Sequence, residues 1–146
     1  AIQAAVLRLK LRRLADWNCA RRENAKLYDR LLSEVPGVEV VREAPAAQSV
    51  YHLYVILVDD RDGLQQHLSQ KGIGTGLHYP LPLHLQKAYA AMGHKKGDFP
   101  VSERTAERLL SLPMYAELTR EQIEYVVGSI KEYVEGSRSK VQGARG

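Results

Sequence analysis

Two runs of β-branched and aromatic residues constrain most strongly what this chain can fold into. They are "VEVV" at 38–41 and "VYHLYVILV" at 50–58, and the loop "REAPAAQS" joins them. Runs of this composition are typical of strands, and a short connection favours antiparallel neighbours. The sequence therefore predicts two adjacent antiparallel strands near the middle of the chain.

Segments with helical periodicity surround these strands. Residues 1–35 are rich in alanine, leucine and arginine, and their apolar residues recur at mostly helical spacing up to Pro36-Gly37. Further helices are predicted in "DDRDGLQQHLSQKG", "PLHLQKAYAAMG", "SERTAERLLSL" and "REQIEYVVGSIKEYV". Thr119 and Gln122 form a capping box for the last one. A third strand or extended segment is expected in "IGTGLHY".

This order of elements predicts an α+β fold, with a mainly antiparallel three-stranded sheet and helices packed on it. We divide the chain into a long helix over 1–35, a small α+β domain over 36–134 and a disordered tail over 135–146. The tail is predicted because "EGSRSKVQGARG" contains glycine, serine and basic residues without hydrophobic periodicity.

Composition excludes several classes of protein. A chain of 146 residues that is 45% hydrophobic can bury one core. The single Cys19 rules out an internal disulfide and favours a reducing compartment, so we expect a cytoplasmic protein. No apolar run reaches the roughly 20 residues of a membrane span. Neither zinc-type spacing nor a P-loop occurs, and we expect no metal and no membrane partner.

A basic group on the first predicted helix raises one alternative function. The net charge is +4, and the group comprises Arg8, Lys10, Arg12, Arg13, Arg21 and Arg22. Such a helix could follow a phosphate backbone, as in a nucleic-acid-binding module. Acidic residues interrupt it from Glu23 onward, and no aromatic stacking platform accompanies it. We therefore expect no nucleic-acid partner.

The stretch "GIGTGLHYPLPLHLQ" at 72–86 is the candidate functional segment. It places three glycines, two prolines and two histidines between two predicted helices. A phosphate-binding loop is one interpretation, but the stretch follows a helix and no lysine follows its glycines before Lys87. A turn with close backbone approach is the better one.

Five blocks of the sequence together resemble a known family. They are "IQAAVLRLKLRRLADWN", "VYHLYVILV", "KGIGTGLHYPLPLHLQ", "FPVSERTAERLLSLPMY" and "LTREQIEYVV". In order and approximate spacing they resemble the C-terminal portion of the DegT/DnrJ/StrS family of PLP-dependent nucleotide-sugar aminotransferases, over residues 1 to about 134. The resemblance implies the small C-terminal domain of a fold-type I aminotransferase, preceded by a long interdomain helix. It also implies that the large domain, with its Schiff-base lysine and PLP-binding groups, lies outside this sequence.

The resemblance also implies a site and partners. His78 would face the substrate and hydrogen-bond sugar or phosphate oxygens, Tyr79 would stack or donate its hydroxyl, and His84 is a weaker substrate-binding candidate. No residue here is assigned a catalytic, cofactor-binding or metal-binding role. The implied substrates are a nucleotide-sugar and glutamate or glutamine as amino donor, in a homodimer that binds PLP through the large domain.

Alternatives remain open at this point. His78 could instead be satisfied by backbone carbonyls, with no ligand. The chain could be a non-catalytic interaction or dimerisation fragment, and the same family includes dehydratases that use PLP without the lysine. His52 is a lesser candidate for a place near the site.

Overall fold

A computed structural model describes residues 1–143 of the chain. Within them lie five α-helices, three strands and two short 3-10 helices. The α-helices are α1 (Ile2–Leu11), α2 (Leu14–Leu32), α3 (Arg61–Gln70), α4 (Pro100–Arg108) and α5 (Arg120–Gly143). The strands are β1 (Glu39–Val40), β2 (Tyr54–Leu57) and β3 (Leu109–Leu112), and the 3-10 helices are Leu83–Leu85 and Lys87–Met92. The α+β fold class is confirmed.

The three strands form one antiparallel sheet in the order β1-β2-β3. In the register of the sheet, Ile56 of β2 lies between Val40 of β1 and Leu110 of β3. The predicted pairing of the first two strands is confirmed, although both are shorter than their sequence runs. Tyr51 has φ 45°, outside the extended region, so β2 begins only at Tyr54.

The third strand is not where the sequence predicted it. β3 lies within the run predicted as the helix "SERTAERLLSL", while the segment 73–79 contributes a single bridge between Gly76 and Ser111. All four residues of β3 are buried, and a short apolar run of this kind does not reveal its secondary structure by periodicity. Pro113 follows directly, which disfavours helical backbone at the residue before it.

The core lies between the sheet and helices α2, α3 and α5. Tyr54 and Ile56 of β2 point into it, and Tyr28 of α2 stacks on Tyr54 with ring centroids 4.7 Å apart. The hydroxyl of Tyr54 donates to Asp29 across 2.6 Å. Burial of each such side chain contributes about 1.5–3 kcal/mol. The packing of α2 and α5 on this core fixes the sheet that carries the candidate site.

The long helix predicted over 1–35 is two helices, broken at Arg12 and Arg13. There the backbone N–H groups of Arg12 and Arg13 bond the carbonyls three residues earlier, at 3.3 and 3.0 Å, which tightens the turn. α2 packs against the core with buried side chains, whereas α1 contributes no buried residue. Its apolar side chains are exposed, with Ile2 at 83% and Leu9 at 64%.

The end of the chain also differs from its prediction. α5 continues to Gly143, where a tail was predicted from residue 135, and residues 144–146 lie outside the described part. The packed part of α5 already provides the nucleus for helix formation, so extending the helix by one residue costs little free energy. No proline interrupts this stretch. The capping box is confirmed, because the Thr119 hydroxyl accepts from the Gln122 N–H and the Gln122 side chain accepts from the Thr119 N–H.

No helix in the described range of residues is both long and apolar enough to cross a lipid bilayer.

Candidate functional site

The glycine-rich segment is anchored to the outer edge of β3. The N–H of Gly76 donates to the Ser111 carbonyl at 3.1 Å, and the N–H of Ser111 donates to the Gly76 carbonyl at 2.8 Å. On its other side Ser111 lies opposite Val55 of β2. This two-bond bridge therefore holds the backbone just before His78 against the sheet.

The alternation of side chains along β3 decides which of them face this segment. Leu110 and Leu112 belong to the main core, so Leu109 and Ser111 point to the opposite face. There the Ser111 hydroxyl lies 2.9 Å from Nδ1 of His78. Ser111 is 3% exposed, which makes it one of the buried polar residues of the fold. The strand thus presents a buried hydroxyl to the candidate histidine.

Gly76 is required by the position of the His78 ring. A Cβ atom on Gly76 would lie 2.5 Å from Cε1 of His78, much closer than carbon atoms approach without a bond. At Gly74, two residues earlier, an added Cβ would meet nothing within 4 Å. The close approach predicted for this glycine-rich stretch is therefore found at Gly76, and its neighbour is an imidazole.

His78 lines a small open groove of about 340 Å³. Leu53, Thr75 and Met114 line it too, and a second imidazole, that of His52, lies in the same groove. His78 is exposed, and its Nε2 has no hydrogen-bond partner among the described residues. The hydrogen bond that holds the ring comes from a serine hydroxyl and not from a backbone carbonyl. The ring is therefore fixed at one nitrogen and open at the other.

Tyr79 stands next to His78 and faces a different groove. The residue is 71% exposed, and its ring and the His78 ring meet edge to face with centroids 5.6 Å apart. The groove that it lines is larger, about 650 Å³, and mostly apolar, with Leu83, Tyr89 and Phe99 among its walls. Residues 78 and 79 thus stand between two grooves, and each lines one of them.

His84 is held by an internal partner. Its Nε2 lies 2.9 Å from the Glu103 carboxylate, the two side chains are 8% and 11% exposed, and its ring packs on Phe99. The same carboxylate accepts from the backbone N–H groups of Gly97 and Phe99. Desolvation would raise the pKa of Glu103, but these hydrogen bonds and His84 outweigh it and hold that pKa below its usual value.

The helix predicted over "PLHLQKAYAAMG" is replaced by the two 3-10 helices. Gln86 lies between them with extended backbone, φ −74° and ψ 140°, so no continuous helix forms. The pairing of His84 with Glu103 draws the first of them towards α4. Tertiary contact has overridden a weak local preference here.

The described lysines do not fit a Schiff base with PLP. A lysine that forms a Schiff base needs a desolvated position that lowers its pKa. None of the lysines up to Lys131 is buried. Hydrogen bonds to carboxylates raise the pKa values of Lys26, through Glu23, and Lys71, through Glu132. Within the same range, no three histidine, cysteine, aspartate or glutamate side chains are grouped to hold a metal ion.

Comparison with known proteins identifies the family. The model of the DegT/DnrJ/EryC1/StrS aminotransferase family matches residues 1–131. The chain belongs to this aminotransferase family. The resemblance drawn from the five sequence blocks is confirmed.

Several relatives in this aminotransferase family are closely similar. The chain is 45% identical over 130 residues to the erythromycin biosynthesis sensory transduction protein EryC1 of Saccharopolyspora erythraea, covering 89% of the chain. It is 39% identical over 134 residues to the dTDP-3-amino-3,4,6-trideoxy-alpha-D-glucose transaminase of Streptomyces venezuelae, covering 92% of the chain. The chain spans 36% and 35% of the lengths of these two relatives.

Solved structures from the family share the fold. The crystal structure of S. venezuelae DesV in complex with a ketimine intermediate superposes with a TM-score of 0.86 at 39% identity, covering 91% of this chain and 36% of that one. An aminotransferase of the family from Brucella abortus gives a TM-score of 0.82 at 38% identity, covering 90% of this chain and 35% of that one.

Ser111 is the residue of this site that was not predicted from the sequence. The signal was present, because a serine stands among leucines in "LLSLP" and a polar residue inside a buried run needs a partner. That partner could not be identified from the sequence, since His78 lies 33 residues away.

Proposed function

We propose that this chain is the small C-terminal domain of a PLP-dependent aminotransferase that transfers an amino group from glutamate or glutamine to a nucleotide-linked keto-sugar. One observation carries the proposal: family members at 36–39% identity are named as transaminases acting on dTDP-amino-sugars or as a UDP-sugar aminotransferase. PLP supplies the electron sink for transamination. Since the described lysines do not fit a Schiff base with PLP, other parts of a longer protein would hold it.

The role proposed for this domain is to bind and orient the nucleotide-sugar. His78 lines an open groove, and Nε2 of its ring, which has no partner among the described residues, can hydrogen-bond a sugar or phosphate oxygen. Tyr79, exposed beside it, would stack on the substrate or donate its hydroxyl. His84, already bonded to Glu103, would support the loop behind them. A homodimer and a cytoplasmic location complete the proposal.

Measurements of cofactor binding and of turnover test whether PLP is bound by other parts of a longer protein. Pyridoxal phosphate titrated into the 146-residue chain should give no internal-aldimine absorbance, and borohydride should fix no lysine. A longer protein that contains this chain should aminate a keto-sugar nucleotide with glutamate or glutamine as donor. Stoichiometric labelling of one lysine in the 146-residue chain would contradict the assignment of PLP to other parts of the protein.

Amino-donor and sugar half-reactions can be measured separately in the longer protein. If it consumed the donor but left every keto-sugar nucleotide unchanged, the proposed substrate class would be wrong. Sugar dehydration without net amino transfer would instead place it with the dehydratases of the family.

A further inference from the structure

Ser111 holds two points of the candidate segment at once. Its backbone bonds Gly76 in both directions, and its hydroxyl lies 2.9 Å from Nδ1 of His78. β3 is fixed in turn by its pairing with β2, where Ser111 lies opposite Val55. The His78 ring is therefore positioned by the sheet itself and not only by its own flexible loop.

The burial of Ser111 favours one direction for this hydrogen bond. A buried hydroxyl is costly to leave without an acceptor, and Ser111 is 3% exposed. Among the described residues, Nδ1 of His78 is the one partner of its side chain. With the serine hydroxyl as the donor to Nδ1, the neutral ring carries its proton on Nε2.

We infer that Ser111 is a positioning residue, which fixes His78 in the Nε2–H tautomer so that Nε2 donates a hydrogen bond into the groove. This inference rests on the proposed function of His78. It specifies the atom recognised: an acceptor oxygen of the nucleotide-sugar, such as a phosphate or carbonyl oxygen. Gly76 contributes by leaving room for the ring, since any side chain there would collide with Cε1.

Two variants should disturb the tautomer by different routes. Ser111→Ala removes the hydroxyl, whereas Gly76→Ala keeps both backbone bonds to Ser111 and adds a Cβ where the ring lies. Gly76 does not have a positive φ, so its backbone accepts alanine. If Ser111→Ala fails to fold, Gly76→Ala still tests the inference.

Matched controls exist for both variants. Gly74 lines the same groove and has open space around it, so Gly74→Ala should leave the ring unchanged. Ser129 is a second buried serine at 3% exposure, and its hydroxyl donates to the Tyr125 carbonyl. Ser129→Ala therefore removes a buried serine hydroxyl without touching His78.

Imidazole nitrogen spectra report the tautomer without any activity measurement. In the ¹⁵N-labelled 146-residue chain, long-range ¹H–¹⁵N correlations at alkaline pH should show His78 as the Nε2–H tautomer. Ser111→Ala and Gly76→Ala should each convert it to a mixture, and the two controls should not. An Nδ1–H tautomer in the wild type, or an unchanged pattern in both test variants, would overturn the inference.

Kinetics of the longer protein then separate positioning from substrate binding. Each test variant should lower kcat/KM for the nucleotide-sugar by about threefold to tenfold, as for one neutral hydrogen bond, and leave the amino-donor half-reaction unchanged. If the tautomer changes but the kinetics do not, the positioning by Ser111 stands and the substrate role proposed for His78 is wrong.

Discussion

His78 and His84 lie six residues apart in one segment, yet the fold places their side chains in opposite environments. His78 is exposed, bonded at Nδ1 to a neutral hydroxyl and open at Nε2. The His84 side chain is 8% exposed, lies against a carboxylate and packs on Phe99. One imidazole keeps a nitrogen without a partner among the described residues, and the other uses its nitrogen to join two parts of the chain.

The partners of each ring explain the difference. Ser111 comes from a strand buried in the sheet and can orient a ring without adding charge. Glu103 lies at the start of α4 and accepts from the backbone of Gly97 and Phe99, so it organises the loop that precedes the helix. A histidine in a candidate segment is therefore a better ligand candidate when one nitrogen is anchored and the other is free.

The largest expected effect concerns activity at His78. In the longer protein, His78→Ala should lower kcat/KM for the nucleotide-sugar by about tenfold to a hundredfold, because a hydrogen bond to a charged group is worth about 1.5–3 kcal/mol. The amino-donor half-reaction and the Tm should hardly change. His52→Ala removes the second imidazole of the same groove and shows whether the loss is specific to His78. A large fall in Tm with intact kinetics would give His78 a purely structural role.

The second largest expected effect is a loss of thermal stability when His84 is replaced. His84→Ala should lower the Tm of the chain by roughly 5 °C, because it removes ring packing on Phe99 and the partner of a shielded carboxylate. His94→Ala is the control, since His94 is 35% exposed and its contact with Asp98 is longer, at 3.6 Å. Thermal melts of both variants measure the contrast. Equal melts, together with a specific rise in KM for the nucleotide-sugar in His84→Ala, would place His84 with His78 as a ligand residue.

The smallest expected effect is a pH dependence of stability that comes from Glu103, the partner of His84. The folded-state pKa of Glu103 is lowered, so its contribution to stability is present above the ordinary carboxyl value of 4.5 and is lost as pH falls through the lower folded value. Glu103→Gln should therefore be less stable than the wild type at neutral pH, and the gap should close in acid. Urea melts of both proteins from pH 7 down to about pH 3 test this. A gap that stays constant across that range would show that the charge of Glu103 contributes nothing.

Much of the fold could be predicted from local chemistry. The first two strands, α3 and the Thr119–Gln122 cap follow from β-branched runs, an amphipathic pattern and a capping box. β3 could not be predicted, because four buried residues carry no periodicity and the preceding helix suggested continuation. The break between α1 and α2 and the extension of α5 to Gly143 were missed for a related reason, since helix-forming composition does not say where a helix stops.

The sequence by itself determined the class of fold and the family, and it singled out the segment of the proposed site, because strand composition, helix caps and an unusual glycine-rich run are local properties. The tertiary structure decided which histidine keeps a ring nitrogen without a partner among the described residues and which is bonded to a carboxylate. That choice depends on Ser111 and Glu103, which lie 33 and 19 residues from the rings that they hold. Only the packed sheet and the start of α4 bring them within hydrogen-bond distance, and spacing along the chain carries no record of such contacts.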